Sequence, residues 1–564
     1  MAIREKVKIA VGQIFIEIDQ EEKNLEKVLK FIDLASENGA DIIAFPECSN
    51  NGYVYRDVEH AFSNATPIPG SFTKELGKKA KEKHIHVVIG LAERAEYSEI
   101  YNSAVLIDYN GDIIGKYRKN FLGTPDRLWW KPSKIGFPVF PTEFGNIGIF
   151  ICADGRIFEN ARCLSLAGAD ILFDVTNWFH YVQVKINTPA RAIENGVWVV
   201  AANKVGYECP IEHSWMTEAI GNSFIIDPKG NVISQASSDK EEIIYGVINP
   251  YESRMKKVGK LNNIFEDRRP EIYESLTQSF ENLPISSSVK EPIIPEDYCI
   301  QSAALQINLE KGSVNTKGNM IEIISRVERA SYLLSDLIVL PELFNIGREI
   351  KKDKGIRELA ETVPGLVTDS FSKISRKYRN YIVGTILENE NGKLFNTAFL
   401  VGPDGYIGKY RKTHLWEDEI SYLTPGDLGF PVFNTSFGNL GIMIGYDGFF
   451  PEVARILTLQ GADIIAWPAL WDMEIYPSIL CPARSVDNRI FITAASQVGD
   501  GMVGQSMIAD PDGMILSRGE KDKEQFVKAK LDLYNSRNKK RFVNGSVIFD
   551  RKRDYYEILC SPHS

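Results

Sequence analysis

The chain repeats itself over nearly its whole length. The segment FGNIGIFICADGRIFENARCLSLAGADIL starts at Phe144, and FGNLGIMIGYDGFFPEVARILTLQGADII starts at Phe437. IGKYRKNFL matches IGKYRKTHL, and PARAIENGVWVVAA matches PARSVDNRIFITAA, at the same separation along the chain. DIIAFPE, which ends at Glu47, corresponds to DLIVLPE, which ends at Glu342. A repeat this long is no solenoid unit and indicates a whole domain that was duplicated and fused.

A polar segment rich in proline lies between the two copies. The sequence ENLPISSSVKEPIIPEDY has consecutive serines as well, a composition typical of a linker. We therefore predict one domain over residues 1–277, a linker over 278–296 and a second, related domain over 297–564. Within each copy β-branched runs alternate with amphipathic helical patterns, such as Ser71–Lys83, and a hairpin turns at Asn110 and Gly111. This alternation predicts a layered α/β domain with a mixed sheet.

The composition argues against several classes of partner. The formal net charge is -10, and acidic and basic residues are mixed along the chain, so a nucleic-acid or membrane partner is not expected. The cysteine count of 7 is odd and shows no CxxC spacing, which argues against a disulfide framework or a zinc site. No apolar run approaches the ~20 residues of a membrane span, and the N-terminus is unlike a signal peptide. We expect a cytoplasmic protein that needs no metal or cofactor.

Three residues with reactive side chains follow predicted strands of the first copy. Glu47 ends DIIAFPE, Lys119 follows a hairpin strand, and Cys152 ends GNIGIFIC. Strand ends that lead into loops are where α/β sheets place reactive groups. A lysine cation favours a thiolate and an oxyanion, and a glutamate can take the thiol proton and pass it to a leaving amine. The set could therefore catalyse acyl transfer without histidine.

Each of these residues also has a purely structural interpretation. A cysteine that ends an apolar strand is in most proteins a small buried side chain, and buried cysteines are mostly unreactive. Lys119 on its own is typical of a surface cation, and Glu47 of a helix or loop cap. Spacing alone does not decide between these interpretations.

The motifs around these residues resemble those of the nitrilase superfamily, the carbon–nitrogen hydrolases. The resemblance rests on FPE at 45–47, YRK at 117–119 and IC-x-D at 151–154, and it extends over both copies. It implies an α-β-β-α sandwich, with Glu47 as base, Lys119 as stabiliser of thiolate and oxyanion, and Cys152 as the nucleophile that forms a thioester. It also implies that the copies pair as an intrachain pseudo-dimer through the helices after the cysteine strand and through tails such as DRRPEIY and DRKRDYY. Further oligomerisation stays open.

The second copy keeps the charged residues but not the nucleophile. Glu342 and Lys412 are retained, and Glu419 is the second glutamate that many members of the superfamily carry. The repeat places Gly445 where the first copy has its cysteine. Glycine cannot form an acyl-enzyme, so we predict that copy two is a structural or regulatory partner. The alternative is a site that binds a small molecule without turning it over.

Two charged residues of the first copy are predicted to act on the substrate or beside it. Asp126 stands at the position of the second glutamate, where it orients Lys119 or a water; otherwise it is a solvated turn residue. Arg156 matches an arginine that reads a substrate carboxylate in N-carbamoyl amino acid hydrolases of the family, a contact that suits a guanidinium. Its structural alternative is a salt bridge to Glu159 or another helix carboxylate.

Further substrate contacts are predicted in two loops. Asn177 falls where those hydrolases place a polar contact, and Trp178 beside it is a second candidate. The loop between Gly206 and Gly221 is longer than its counterpart in copy two, and we predict that its Trp215 faces the ligand. The alternative for this loop is a surface excursion.

Together these features predict hydrolysis of a small amide or N-carbamoyl compound, with a carboxylate on the substrate as one option. Nitrile hydrolysis, acyl transfer to an amine and a glutaminase reaction use the same chemistry and stay open. A catalytically silent scaffold or ligand-binding protein is the alternative from another class, because copy one departs from the family pattern at Asn120 and Asp126.

Overall fold

The structure is a computed structural model of the chain. It describes residues 4–96, 99–123, 126–208, 217–290, 298–309, 316–346, 354–499, 501–542 and 545–562. They form two compact units. The first contains Met1–Lys256 and Lys540–Leu559, and the second contains Lys257–Lys539 and Cys560–Pro562. The boundaries of these units differ from those of the predicted domains. Residues 257–277, the end of the first predicted domain, belong to the second unit, and Lys540–Leu559, near the end of the second predicted domain, belong to the first unit.

The first unit consists of two six-stranded sheets with helices on their outer faces. Its strands are β1 (Val7–Gln13), β2 (Ile42–Ala44), β3 (His86–Arg94), β4 (Ile100–Ile107), β5 (Ile113–Arg118), β6 (Val139–Thr142), β7 (Gly145–Ile151), β8 (Ile171–Val175), β9 (Trp198–Ala202), β10 (Val205–Glu208), β11 (Thr217–Ile220), β12 (Phe224–Ile226), β13 (Val232–Gln235) and β14 (Glu242–Ile248). Its helices are α1 (Glu21–Glu37), α2 (Val58–Asn64), α3 (Ser71–Lys83), α4 (Asp126–Trp129), α5 (Phe158–Leu166) and α6 (Thr188–Asn195).

Both sheets of the first unit are mixed. One has the order β14-β1-β2-β3-β4-β5, with β1, β2 and β3 parallel and the rest joined as antiparallel pairs. The other has the order β13-β12-β9-β8-β7-β6, with β7, β8 and β9 parallel. The carboxyl ends of parallel strands share one edge of a sheet, and loops at that edge commonly carry the reactive groups.

The buried apolar residues of the first unit show how its sheets and helices are layered. Side chains from β1 and from β7 share one buried core, so the two sheets pack face to face. The outer face of the first sheet is covered by α1 and α3, and α5 and α6 contact the second sheet. In α3, Phe72, Leu76 and Ala80 recur every four residues and are all buried, which is the pattern of a helix with one apolar face. The α-β-β-α sandwich is thereby confirmed.

The second unit repeats this architecture. Its strands are β15 (Lys257–Val258), β16 (Asn262–Asn263), β17 (Cys299–Gln306), β18 (Leu337–Val339), β19 (Tyr381–Glu390), β20 (Lys393–Gly402), β21 (Gly405–Arg411), β22 (Val432–Thr435), β23 (Gly438–Ile442), β24 (Ile464–Ala469), β25 (Phe491–Ser496), β26 (Val498–Gly499), β27 (Met502–Val503), β28 (Met507–Ala509), β29 (Ile515–Arg518) and β30 (Gln525–Asp532). Its helices are α7 (Ile285–Lys290), α8 (Thr316–Tyr332), α9 (Leu366–Tyr378), α10 (Pro451–Leu459), α11 (Cys481–Asn488) and α12 (Tyr534–Arg537). The sheet orders are β21-β20-β19-β18-β17-β30 and β22-β23-β24-β25-β28-β29, and α7 lies inside the predicted linker.

The exchanged tails are anchored by buried ion pairs. In the first unit, Arg551 of the second repeat's tail donates to Glu159 Oε1 of α5 at 2.7 Å. In the second unit, Arg268 of the first repeat's tail donates to Glu452 Oε1 of α10 at 3.2 Å. Both pairs are almost completely buried. Each unit thus contains a tail from the other repeat.

Among the described residues, no helix is both long enough and apolar enough to span a membrane.

Candidate active site

Backbone geometry brings the three predicted catalytic residues to one end of the first unit. Strand β2 already ends at Ala44, so Glu47 lies in the following loop, where its N–H donates to the carbonyl of Thr176 after β8 at 3.3 Å. Lys119 directly follows β5, and Cys152 directly follows β7. The φ of Cys152 is 49°, in the left-handed region, which turns the chain sharply between the strand and a short helical turn.

A buried network of charges joins Glu47 and Lys119. The Lys119 ammonium donates to Glu47 Oε1 at 2.7 Å and lies 2.9 Å from Asp126 Oδ2. Asn102 also donates to Glu47 Oε1, at 2.5 Å. Tyr53 donates its hydroxyl proton to Asp126 Oδ1 at 3.0 Å. Asp126 is buried and binds Lys119, so it is not a solvated turn residue.

Burial and neighbouring charges shift the pKa of each member of this site. Burial raises the pKa of Glu47 against the opposing effect of the Lys119 cation. Burial lowers the pKa of Lys119, but Asp126 and Glu47 outweigh this and raise it above its ordinary value. Burial and the Glu47 charge raise the pKa of Cys152 to about 12, although Lys119 opposes them. The thiol is therefore protonated at neutral pH and needs a base before it can attack.

The turn at Cys152 is held by hydrogen bonds on three sides. Its N–H donates to Asp174 Oδ1 at 3.1 Å, and its carbonyl accepts from Gln183 Nε2 at 3.1 Å. Its Sγ lies 3.5 Å from the carbonyl oxygen of Asn177. Only 8% of Cys152 is exposed. Contacts with Asp174, Gln183 and Asn177 thus fix the position of Cys152.

The predicted substrate-binding residues have different environments in the structure. Arg156 donates to Gln183 Oε1 at 2.7 Å. Both side-chain polar atoms of Asn177 are buried and have no hydrogen-bond partner among the described residues. Trp178 is buried in the core, tilted against Phe224, which makes it a packing residue. Trp215 lies outside the described residues.

Sequence reasoning missed four residues that support the site. Tyr53 and Asn102 hold the charged pair, and Asp174 and Gln183 hold the turn at Cys152. A signal for Asn102 was present, because YNSAVL corresponds to FNTAFL in the second copy, where the equivalent Asn396 also donates to a glutamate. For Tyr53, Asp174 and Gln183, comparison of the two copies gives no such signal.

The second unit preserves the charge network without the nucleophile. Lys412 donates to Glu342 Oε1 and to Glu419 Oε2, each at 2.7 Å. Gly445 has a φ of 48°, the same turn as Cys152. A Cβ built on Gly445 would lie 2.4 Å from Glu342 Oε2, so the glutamate faces the position of the missing side chain. A cavity of about 440 Å³ opens at these residues.

Known proteins resemble this chain over one copy at a time. The carbon–nitrogen hydrolase family model matches residues 8–256 and 302–541. A nitrilase from Pyrococcus abyssi is 39% identical over 235 residues, which cover 41% of this chain and 89% of the relative. An N-carbamoylputrescine amidase from Oryza sativa subsp. japonica is 30% identical over 294 residues, covering 48% and 94%. An omega-amidase from Homo sapiens is 30% identical over 246 residues, covering 40% and 87%. Since the family model matches most of the chain in two successive segments, the protein belongs to the carbon–nitrogen hydrolase family.

Proposed function

We propose that the first unit hydrolyses a small amide or N-carbamoyl compound through a thioester on Cys152. The observation that carries this proposal is the arrangement of a carboxylate, an ammonium and a thiol at one end of the sandwich. Glu47 and Lys119 are in direct contact, and both act electrostatically on Cys152. Such a set supplies base, oxyanion stabiliser and nucleophile, which are the groups that acyl transfer needs.

The first step is proton transfer from the thiol to Glu47. Glu47 Oε1 is occupied by Lys119 and Asn102, whereas its Oε2 is buried with no partner among the described residues. The equivalent oxygen of Glu342 faces the nucleophile position of the second unit. We assign Glu47 Oε2 as the atom that takes the thiol proton as the sulfur attacks the substrate carbonyl carbon.

The Lys119 ammonium stabilises the oxyanion that forms on the carbonyl oxygen. Asp126 and Glu47 keep its pKa high, so it stays charged throughout the cycle. Collapse of the intermediate breaks the carbon–nitrogen bond, and Glu47 gives its proton to the leaving amine or ammonia. A water then attacks the thioester, Glu47 takes one of its protons, and the proton passes to the departing thiolate as the acid is released.

For the substrate, we propose a polar compound that carries a carboxylate. Arg156 is buried four residues after Cys152 and contacts Gln183, which itself holds the Cys152 carbonyl. The backbone carbonyl of Asn177 lies 3.5 Å from Cys152 Sγ, and the buried side chain of the same residue has a donor and an acceptor without a partner among the described residues. An arginine can bind a carboxylate through two parallel hydrogen bonds, and an amide can bind the carbonyl or amine end.

The test is mass spectrometry of the intact protein together with ammonia release. The wild-type chain is incubated with amides, N-carbamoyl compounds and nitriles, with and without a carboxylate. We expect an acyl adduct on Cys152 and ammonia release that the Cys152→Ala variant loses. Cys299→Ala, which removes a thiol in the second unit, is the matched control and should retain activity. Ammonia release without an adduct on Cys152, or activity in Cys152→Ala, would refute the proposal.

A further inference from the structure

A buried ion pair of the first unit takes no part in the steps proposed for Cys152. The Lys204 ammonium donates to Glu208 Oε1, and both side chains are almost completely buried. Lys204 directly precedes β10, and Glu208 is the last residue of that strand. Apolar side chains of similar volume often stabilise a fold as well as a buried ion pair does. Stability alone therefore gives little reason for two charges at this position.

Glu208 makes a second contact, with the loop that carries Glu47. Its Oε2 accepts the backbone N–H of Tyr53 at 2.7 Å. The preceding residue, Gly52, has a φ of 81°, and a Cβ added to it would lie 2.9 Å from Ile18 Cγ1. Glycine adopts this left-handed backbone without steric cost and lets the loop pass close to its neighbours. The ion pair thus holds the backbone of this loop at Tyr53.

The side chain of Tyr53 connects this loop to the charged groups of the site. Its hydroxyl donates to Asp126 Oδ1 at 3.0 Å, and its ring centroid lies 5.6 Å from the Lys119 ammonium. Asp126 binds that ammonium, which also donates to Glu47. All of these residues are buried. A continuous series of contacts therefore leads from the ion pair through Tyr53 and Asp126 to the ammonium and the proposed base.

The sequence of the second copy does not keep the two charges. By the repeat, Gln497 stands where the first copy has Lys204, and Gly501 stands where it has Glu208. Gln497 Nε2 donates to the backbone carbonyl of Glu342 at 2.9 Å, so this position carries a neutral side chain in the second unit. The ion pair therefore belongs to the copy that has the thiol.

We propose that Glu208 is a positioning residue for the reaction of the first unit. Held by Lys204, it fixes Tyr53, whose hydroxyl fixes the carboxylate that keeps the Lys119 ammonium beside the base. Glu208 does not react itself and acts only through Tyr53. The inference rests on the proposed function, because the group that is positioned is the one that stabilises the oxyanion.

The expected effect on Glu47 has a sign that distinguishes positioning from a direct effect of charge. Lys119 lowers the pKa of Glu47, and Asp126 raises it. Without Glu208, Tyr53 no longer shares the charge of Asp126. That carboxylate then draws Lys119 away from Glu47, and the pKa of Glu47 rises. Removal of a nearby negative charge would by itself lower the pKa of Glu47. Glu47 in turn raises the pKa of Cys48, Tyr53, Cys152 and Asp174.

The experiment measures ammonia release by the full-length protein as a function of pH, with an amide that forms the Cys152 adduct. In Glu208→Ala we expect kcat to fall roughly 10–100-fold with KM nearly unchanged, and the acid limb of the profile to move to higher pH. Tyr53→Phe removes only the hydroxyl and should move the limb in the same direction. A fall in activity with an unmoved limb would show a merely structural role, and a limb at lower pH would show a direct charge effect. Either result would overturn the proposal.

A double variant tests whether Glu208 acts through Tyr53. In Tyr53→Phe/Glu208→Ala the limb should move no further than in the more strongly shifted single variant, because both substitutions remove the same restraint on Asp126. Shifts that add up would mean that the two residues act independently, which contradicts the proposal.

A neutral version of the pair and an exposed ion pair supply rescue and control. Lys204→Gln/Glu208→Gln keeps an acceptor for the Tyr53 N–H and leaves no unpaired buried charge, so it should recover most of the activity even if Glu208→Ala does not fold. Failure to recover would speak against the hydrogen bond to Tyr53. Glu241→Ala is the matched control and should have wild-type kinetics. Glu241 Oε1 likewise binds a lysine, Lys27 at 2.7 Å, and a backbone N–H, that of Phe15 at 2.8 Å, but it is exposed.

Alkylation of Cys152 by iodoacetamide, located by peptide mapping, separates this inference from the proposed function. If the wild type released no ammonia from any amide, the proposed function would fail, whereas the position of Lys119 would still be measurable. Lys119 lowers the pKa of Cys152, so its displacement should slow alkylation. We expect a rate at least about threefold lower in Glu208→Ala than in the wild type and in Glu241→Ala, because the thiolate is the reactive form. Equal rates in all three proteins would refute the positioning role.

Discussion

The turns at Cys152 and Gly445 have the same left-handed backbone and similar charged neighbours, yet only one carries a thiol. Their φ values are 49° and 48°. In both units a lysine donates to a glutamate at 2.7 Å and also binds a second carboxylate. The two sites differ in the side chain at the turn and in the second carboxylate, which is Asp126 in one unit and Glu419 in the other. They also differ in the residues around the turn, where Asp174 corresponds to Trp467.

This comparison shows which residues of such a site can be replaced at a low cost in folding stability. Removing one member of a buried ion pair leaves an uncompensated charge and costs roughly 3–5 kcal/mol, so Glu342 and Lys412 hold each other in place whether or not they act on a substrate. A left-handed turn costs an ordinary residue about 1–2 kcal/mol relative to glycine. Replacing the cysteine by glycine therefore removes strain, whereas replacing the charged residues adds cost.

The largest expected effect is on the catalytic rate, and it distinguishes Glu47 from Glu342. Glu47→Gln removes the base and should lower kcat/KM by up to about 10⁴-fold. Because burial raises the pKa of Glu47, the wild-type rate should fall as pH is lowered through a value above the ordinary 4.5, where the carboxylate gains its proton and can no longer accept one. This limb of the pH–rate profile should vanish in Glu47→Gln.

The same substitution in the second unit sharpens the contrast. Glu342→Gln should retain the acid limb of the hydrolytic pH profile, because Glu342 faces no nucleophile. If Glu342→Gln removed the limb and Glu47→Gln kept it, the assignment of the active unit would be reversed.

The next largest effect concerns the tails. Arg551→Met leaves Glu159 buried in the first unit without its guanidinium and should lower the free energy of unfolding by roughly 3 kcal/mol or more. Arg268→Met should have a similar effect through Glu452 in the second unit. Urea unfolding measures both. Adding Glu159→Gln to Arg551→Met should recover part of the loss; an Arg551→Met protein as stable as the wild type would show that the pair contributes little.

A smaller effect tests the strain argument at the turn itself. Gly445→Ala should lower the free energy of unfolding by more than the about 1–2 kcal/mol that a left-handed backbone costs alone, because φ is 48° and the new Cβ would also clash with Glu342 Oε2. Gly392→Ala is the matched control, since Gly392 also has a positive φ but open space around it. It reports the backbone cost alone, and a loss at Gly445 no larger than at Gly392 would mean that Glu342 moves aside freely.

The sequence was sufficient for the repeat, the sandwich and the positions of the catalytic candidates. Helix α3 was predicted with its observed ends, because its apolar residues recur every four positions and its pattern stops at Lys83. DIIAFPE was predicted as a strand through Glu47, but the strand ends at Ala44, since strand propensity does not show where pairing with neighbours stops. The motif still placed Glu47 at the correct edge.

Contacts between residues distant in sequence could not be predicted in this way. For Asp126, the sequence left two interpretations open, a role beside Lys119 and a solvated turn residue. The fold decides between them, because it places Lys119 and Tyr53 next to the Asp126 carboxylate. The exchange of tails was suggested by similarity of DRRPEIY to DRKRDYY, but the partners of the arginines, Glu159 and Glu452, lie more than a hundred residues away. Such pairings depend on packing, for which a local pattern carries no signal.

The smallest expected effect concerns Asp174, which the second unit replaces with Trp467. Its Oδ1 accepts the N–H of Cys152 at 3.1 Å, and burial raises the pKa of its carboxyl well above the ordinary value of 3.8. A carboxyl kept neutral to higher pH has the shape and the acceptor of an amide, so Asp174→Asn should change kcat by less than about tenfold and leave the pH profile unshifted. Asp174→Ala removes the acceptor and should cost more, through kcat and not KM, because the turn that positions the thiol loosens. A large loss in Asp174→Asn, matched by Asp174→Ala, would mean that the aspartate acts as a charge, and its replacement by tryptophan would then be a second reason why the other unit cannot turn over a substrate.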